Sequence, residues 1–310
     1  MGNYGTHLTR FQNVSNQQLF NLYRQENWSC LKEEEKLDLY QETVNRHAAA
    51  LGENGAPRVE LEDMGPLTAG SHADGVIRLN RKMLIEGLQE EQIDDMVLFY
   101  ERDDANLQAM MTCFHENYHA WQDQCLDGTI RCNNEDLLRQ YQANDFNLSA
   151  VRDSDGVIKV GSQYITGNRD ENYFLYYLQS TERDAHRKSE MLTLHVVEQL
   201  EQAYGTEESF QAFREDVKIN GYDTTLERAK EYYQNPNVEK DINRTLMNAY
   251  YGEDQTVDSV TEAAVEKAMI QSFEERYLDR NMKMDGQVLE QKYDYNRSYC
   301  AEEMEFEGND

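Results

Sequence analysis

Proline is scarce in this chain, and this scarcity constrains the fold more than any other feature. Only three prolines, Pro57, Pro66 and Pro236, occur among 310 residues. Because proline breaks helices and central strands, the long stretches between these positions favour helical structure. A chain of this length suits one large domain or two modest ones and is long enough to bury a core. The sequence therefore predicts a mostly α-helical protein.

Helix ends are marked by capping residues and by the period of the apolar residues. Ser15 and Gln18 form a capping-box pair that predicts a short helix. A second helix is predicted over residues 31–50, and Gly52 is placed to end it. In the C-terminal part, apolar residues recur at helical spacing and predict helices over residues 181–203, 206–218, 224–234, 237–251 and 256–283.

Two short segments alternate between polar and apolar residues, which is the pattern of a strand. Residues 58–62 read Arg-Val-Glu-Leu-Glu, and residues 76–80 follow the turn signal of Asp74 and Gly75. Together with the helices, these segments predict an α+β fold that is mostly α-helical and contains a small edge sheet.

The charge of the chain limits its partners. The sequence holds 30 Lys and Arg against 59 Asp and Glu, so its formal net charge is −29 at pH 7. Such a chain repels phosphate backbones and anionic membrane surfaces, so we expect neither nucleic acid nor a membrane as a partner. A basic protein or peptide would instead be attracted.

The sequence also predicts where the protein resides. No stretch reaches the ~18 to 20 apolar residues of a membrane helix, and the N-terminus lacks the charged-then-apolar pattern of a signal segment. The five cysteines include no CxxC pair, which favours free thiols in a reducing compartment. We therefore expect a cytoplasmic protein, with export by a signal-less route left open.

The most specific chemical signal lies in a helix predicted over residues 103–125, with Asp103 or Asp104 as its N-cap. Within this helix, residues 115–119 have the pattern His-Glu-x-x-His. Roughly 0.02 such matches are expected by chance in a chain with so few histidines. The motif is therefore interpreted as functional.

The spacing of this motif suits a metal ion. Positions four apart on a helix lie on one face, so His115 and His119 can bind one ion through imidazole nitrogens at ~2.0–2.1 Å. Glu116 would lie beside the ion without binding it and would accept a proton from water as the general base. The alternative interpretation is a pair of solvent-facing histidines that stack by coincidence.

A catalytic zinc site needs a third protein ligand. Glu182, in the first turn of a predicted helix, is the candidate. Asp184 could accept the free N–H of a ligating imidazole, and His186 could support the ligands or stabilise an oxyanion. In the alternative interpretation, the two acids merely favour a helix N-terminus and His186 is a surface residue.

The combination of these motifs resembles the zincin metallopeptidases of gluzincin type. Similar small bacterial proteins pair an HExxH-Ala-aromatic-Gln helix, here ending at Gln122, with a downstream Glu-x-Asp-Ala helix, here beginning at Glu182. The resemblance extends over residues 57–204 and includes an upstream edge strand at residues 77–80. It departs from many gluzincins at His186, where those proteins have an Asp four residues after the ligand Glu.

The resemblance implies a fold, a cofactor and an activity. Residues 57–204 would form a zincin-like catalytic core with one Zn²⁺ per chain. An N-terminal arm with helices (1–56) would precede it, and a C-terminal helical region with an acidic tail (205–310) would follow. The protein would hydrolyse peptide bonds, and its protein or peptide substrate would pair with residues 76–80 as an added strand. An oxyanion donor would come from an aromatic cluster that contains Tyr173, Phe174, Tyr176 and Tyr177.

Three other functions are open at this point. A catalytically inactive zincin scaffold would serve as a binding or regulatory module. A zinc hydrolase of a non-peptide substrate fits the same motif, because HExxH alone does not determine the substrate. An acidic interaction protein that mimics DNA would need neither a metal ion nor Glu116.

Overall fold

The structure is a computed structural model that describes residues 4–65, 68–93, 96–135, 137–138, 141–142 and 180–233. The described residues up to 132 and from 185 to 219 form one compact unit, and the other described residues belong to a second. The described part is mixed α and β structure and is mostly helical, which confirms the predicted class. The domain boundaries after residues 56 and 204 stay predictions.

The secondary structure of the described ranges consists of short strands followed by long helices. The helices are α1 (Asn16–Asn21), α2 (Gln25–Trp28), α3 (Glu33–Leu51), α4 (Arg81–Leu84), α5 (Ala105–Leu126), α6 (Ser180–Tyr204), α7 (Glu208–Asn220) and α8 (Tyr222–Tyr233). The strands are β1 (Arg58–Glu62), β2 (Gly70–Ala73), β3 (Val76–Asn80), β4 (Leu88–Ile93) and β5 (Met96–Glu101).

Two helix ends predicted from capping residues are confirmed. The side-chain oxygen of Ser15 accepts the backbone N–H of Gln18 at 3.2 Å, and Gln18 Oε1 accepts the N–H of Ser15 at 2.9 Å. Gly52 follows α3 in the left-handed conformation, with φ at 70°. Glycine adopts this conformation at little cost because it has no Cβ, which explains why α3 ends there.

The helix that carries the His-Glu-x-x-His motif is confirmed as α5, and of the two predicted N-cap residues Asp104 holds that position. The side chain of Asp104 makes no capping bond. Instead, Arg102 donates to the two carboxylate oxygens of Asp104 at 2.8 and 3.0 Å, and Gln108 Nε2 donates to Oδ2 at 2.8 Å. A bidentate guanidinium binds a buried carboxylate more strongly than a backbone N–H does.

The three-stranded sheet has the order β1-β3-β2. β1 runs parallel to β3 with Arg58 opposite Val76, and β2 runs antiparallel to β3 with Gly70 opposite Leu79. Both predicted strands are confirmed, but the prediction of residues 76–80 as an edge strand was wrong. β3 is central because β2 pairs with its other side, and the Gly-Ser-His-Ala sequence of β2 has no strand pattern.

A buried asparagine positions the loop that leads into β2. Asn80 ends β3, and its Nδ2 donates to the carbonyls of Gly65 at 3.2 Å and Thr68 at 2.8 Å. The backbone N–H of Asn80 donates to Ala69 at 2.8 Å. These bonds hold the loop beside β3, so that β2 is placed against α5.

A second, two-stranded sheet consists of β4 and β5, which pair antiparallel with Leu88 opposite Glu101. This hairpin has no counterpart among the predicted strands. β4 reads Leu-Gln-Glu-Glu-Gln-Ile, and glutamate has a low intrinsic preference for strands. Its extended conformation is therefore stabilised by pairing with β5 and cannot be read from its own sequence.

The first compact unit has one hydrophobic core, centred on α3 and α5. Phe114 of α5 lies 6.4 Å from Phe20 and 5.0 Å from His47, measured between ring centroids. Near the N-terminal end of α5, Asn106 donates to the carbonyl of Tyr23 at 2.6 Å. α6 and α7 add apolar residues to the same core: Leu192, Val196, Val197, Leu200, Phe210 and Phe213. The packing holds α5 along its length.

Several predictions concern residues outside the described ranges. These are the helices over residues 237–251 and 256–283, the acidic tail, and the aromatic cluster at Tyr173, Phe174, Tyr176 and Tyr177. Among the helices of the described ranges, none combines the length and the apolar composition that crossing a membrane requires.

Candidate metal centre

Two imidazoles of α5 face the same point. His115 and His119 are one helical turn apart, and their Nε2 atoms are 3.1 Å from each other. The two rings are nearly perpendicular, with centroids 4.7 Å apart and an interplanar angle of 83°. Two nitrogens that each lie 2.0–2.1 Å from a tetrahedral ion would be about 3.3 Å apart. The observed separation therefore fits a shared cation.

The carboxylate of Glu182 completes a group of three possible ligands. α6 begins at Ser180 and carries Glu182 in its first turn. One ligand atom from each of His115, His119 and Glu182 lies within 4.8 Å of the other two. Two imidazoles and one carboxylate form a donor set that suits zinc and other first-row divalent ions. These residues could therefore hold a metal ion.

His119 has a hydrogen-bond partner that was not assigned a role from the sequence. Its Nδ1 lies 2.9 Å from Oε1 of Gln122, which is almost completely buried. Gln122 is three residues after His119, so helix geometry places the two side chains on one face. The sequence marks this residue only as the Gln of the HExxH-Ala-aromatic-Gln pattern. That pattern does not reveal which group the Gln side chain contacts.

The structure brings His186 to the site. Its ring lies 4.3 Å from the ring of His115 between centroids, at an interplanar angle of 57°. His186 is four residues after Glu182 on α6, so the two side chains lie on one face of that helix. This ring contact restricts the orientation of His115, and a role of His186 in stabilising an oxyanion stays a prediction.

Asp184 is engaged by a different set of groups. Arg183 donates to its two oxygens at 2.8 and 3.0 Å, and the hydroxyl of Tyr141 donates to Oδ2 at 2.8 Å. Arg183 and Tyr141 are both buried, so this ion pair is a fixed part of the structure around the first turn of α6. The predicted bond from a ligating imidazole to Asp184 stays a prediction.

Glu116 occupies a confined space between α5 and β2. Its side chain is only 6 % exposed. A Cβ placed on Gly70 would lie 2.8 Å from Thr112 Cγ2, which is closer than real Cβ contacts, and 3.0 Å from Glu116 Cγ, which is tighter than most of them. Glycine at residue 70 therefore leaves the room in which the carboxylate of Glu116 sits. This neighbour could not be foreseen from the sequence, since β2 was not predicted.

The face of α5 that carries Asn117 is tied to α3 by buried polar groups. Asn117 Nδ2 lies 3.1 Å from His47 Nδ1 and donates to Glu53 Oε1 at 2.7 Å, while Gln124 Nε2 donates to Glu53 Oε2 at 3.1 Å. Burial lowers the pKa of His47 to about 3 and raises the pKa of Glu53 to about 8. These bonds connect α5 to His47 of α3 and to Glu53, which follows α3.

Comparisons of the chain with protein-family models, with curated proteins and with solved structures found no match. The assignment of a function therefore depends on the residues of the site.

Proposed function

We propose that this protein is a zinc-dependent metallopeptidase in which Glu116 is the general base. The observation that carries the proposal is the group formed by His115, His119 and Glu182, whose ligand atoms lie within 4.8 Å of one another. Glu116 directly follows the first of these residues in the sequence. The resemblance to gluzincins, which also combine two histidines and a glutamate, supports zinc as the ion. A zincin-like core over residues 57–204 belongs to the same proposal.

Each residue has a defined role in this reaction. His115, His119 and Glu182 would hold the ion, which when bound would polarise the scissile carbonyl and acidify a water molecule. Glu116 would accept the proton of the attacking water and deliver it to the leaving amine. Burial of Glu116 supports this role, because a carboxylate with few competing waters is a better proton acceptor.

The sheet supports a revised position for the substrate. Within the described residues, β2 pairs with β3 on one side only, and Gly70 of β2 lies against Glu116. An extended peptide that adds to the free side of β2 would pass close to Glu116. The net charge of −29 favours basic peptides, since opposite charges increase the rate of encounter.

The decisive experiment compares the full chain with a Glu116→Gln variant. Glu198 is exposed on α6, so Glu198→Gln is a control with the same chemical change away from the site. Zinc content is measured by mass spectrometry, and cleavage is measured on a peptide library that includes basic sequences. We expect about one zinc per chain in all three proteins and cleavage by the wild type and Glu198→Gln only.

Two other outcomes would contradict this proposal in different ways. Zinc binding without cleavage that depends on Glu116 would favour the binding module or a hydrolase of a non-peptide substrate. Protein that binds no zinc even when the ion is supplied would exclude the metal centre and would favour the acidic interaction protein.

A further inference from the structure

We propose that Gln122 is a positioning residue that selects the tautomer of His119 and so makes its Nε2 the metal-binding atom. This inference rests on the metal centre of the proposed function. Gln122 is 1 % exposed, and its Oε1 lies 2.9 Å from His119 Nδ1. The contact lies within α5, between residues three apart, so helix geometry by itself brings the two side chains together.

The chemistry of the two groups determines which nitrogen carries the proton. An amide oxygen can only accept a hydrogen bond, so the proton of the contact belongs to Nδ1 of His119. A neutral imidazole has one N–H, so Nε2 of His119 is left with a lone pair. That atom lies 3.1 Å from Nε2 of His115, and both histidines belong to the group that contains Glu182. The lone pair is therefore available where a cation would be bound.

The two histidine ligands are oriented by different means. His119 is held by a hydrogen bond from Nδ1, whereas the ring of His115 packs against the tilted ring of His186. Gln122 is three residues after His119, and the residue three after His115 is Tyr118. The ring of Tyr118 lies 5.1 Å from the ring of Trp121, measured between centroids. A neutral amide raises the basicity of the imidazole less than a carboxylate does, and leaves more positive charge on the ion for polarising a carbonyl.

The first test measures the tautomer directly in metal-free protein. Two-bond ¹⁵N–¹H correlation spectra are recorded after chelation at about pH 8.5, where ordinary imidazoles are neutral. We expect His119 to show the Nδ1–H tautomer in the wild type and a mixture of tautomers in Gln122→Met, which keeps the volume of the side chain but cannot accept this bond. The signal of His119 is assigned by its loss in His119→Ala.

The second test measures zinc affinity by competition with a chelator. Loss of a group that orients a ligand typically weakens metal binding by about 10- to 100-fold, and we expect this loss in Gln122→Met. Gln122→Glu keeps an acceptor at the same place and should bind zinc at least as tightly as the wild type. Gln124→Met is the matched control, because Gln124 is equally buried on α5 but contacts Glu53 instead of a ligand.

The outcomes separate this inference from the proposed function. If Gln122→Met keeps both the Nδ1–H tautomer and the zinc affinity of the wild type, the inference is wrong whatever the enzyme does. If the tautomer changes as expected but no peptide is cleaved by any variant, Gln122 positions His119 and the peptidase proposal fails. If Gln122→Met does not fold, two other variants replace it. The inference is overturned if Gln122→Ala binds zinc as tightly as the wild type. It is also overturned if Gln122→Glu binds zinc more weakly than the wild type.

Discussion

Gly70 of β2 and Glu116 of α5 are packed so closely that a methyl group on residue 70 would press against the glutamate side chain. The carbon of that methyl group would lie 3.0 Å from Glu116 Cγ and 3.1 Å from its Oε1. The strand and the helix therefore meet at the residue proposed as the general base. The local shape of the site depends on the absence of a side chain at residue 70.

Gly70→Ala should reduce catalysis without removing the metal. The added methyl would displace Glu116 or Thr112, and a displacement of about 1 Å can lower a rate by about 100-fold. We expect kcat to fall about 10- to 100-fold, zinc content to be unchanged, and the free energy of unfolding to fall by about 1–3 kcal/mol. Gly65→Ala is the control, because nothing lies within 4 Å of a Cβ there. Equal activity of the two variants would show that Glu116 is not confined by β2.

Glu182→Gln tests the third ligand separately from the general base. The amide keeps the size of the side chain but loses the negative charge that the ion requires, so we expect zinc affinity to fall by about 100-fold or more. The free energy of unfolding of the metal-free protein should change little. Zinc affinity is measured by chelator competition, with Glu198→Gln as the exposed control on the same helix. An unchanged affinity would mean that the third ligand is a different residue.

The stability of the protein should decrease in alkaline solution because of Glu53. Burial raises the pKa of Glu53 from 4.5 to about 8, although hydrogen bonds from Asn117 and Gln124 lower it. The folded state therefore holds a proton that the unfolded state loses near pH 4.5. The stability contributed by this proton is fully present below pH 4.5 and is lost as the pH rises through about 8.

Glu53→Gln should remove this pH dependence. Its free energy of unfolding should exceed that of the wild type by a few kcal/mol at about pH 9 and should approach it at about pH 5. Urea unfolding at a series of pH values measures the difference, and exposed Glu86→Gln is the control. Parallel curves for the wild type and Glu53→Gln would refute the raised pKa.

The stability of the protein should also decrease in acidic solution, because of His47. Burial lowers its pKa from 6.5 to about 3, so the folded state excludes a proton that the unfolded state accepts. The stability from this neutral imidazole is present above about pH 6.5 and is lost as the pH falls towards 3. Acid unfolding is followed by circular dichroism. The unfolding curve of His47→Gln should depend less steeply on pH than that of the wild type, and His7→Gln is the control. A curve as steep as that of the wild type would assign acid unfolding to other groups.

Part of the fold and of the candidate site could be predicted from local sequence. The capping pair at Ser15 and Gln18 and the end of α3 at Gly52 involve neighbouring residues only, and both are confirmed. The four-residue spacing of His115 and His119 likewise places both rings on one helical face without any tertiary information. The sequence also singled out Glu182 as a candidate, although nothing local determines where its carboxylate lies.

What the sequence determines by itself is therefore short-range: the class of fold, the helix that carries the histidines, and the residue types that can bind an ion. Tertiary structure alone decides that β2 borders Glu116, that β3 is central, and that a glutamate distant in sequence meets His115 and His119. The physical reason is that helix capping and helical spacing are set by bonds within a few residues, whereas strand order and the meeting of two helices follow from the burial of a shared core.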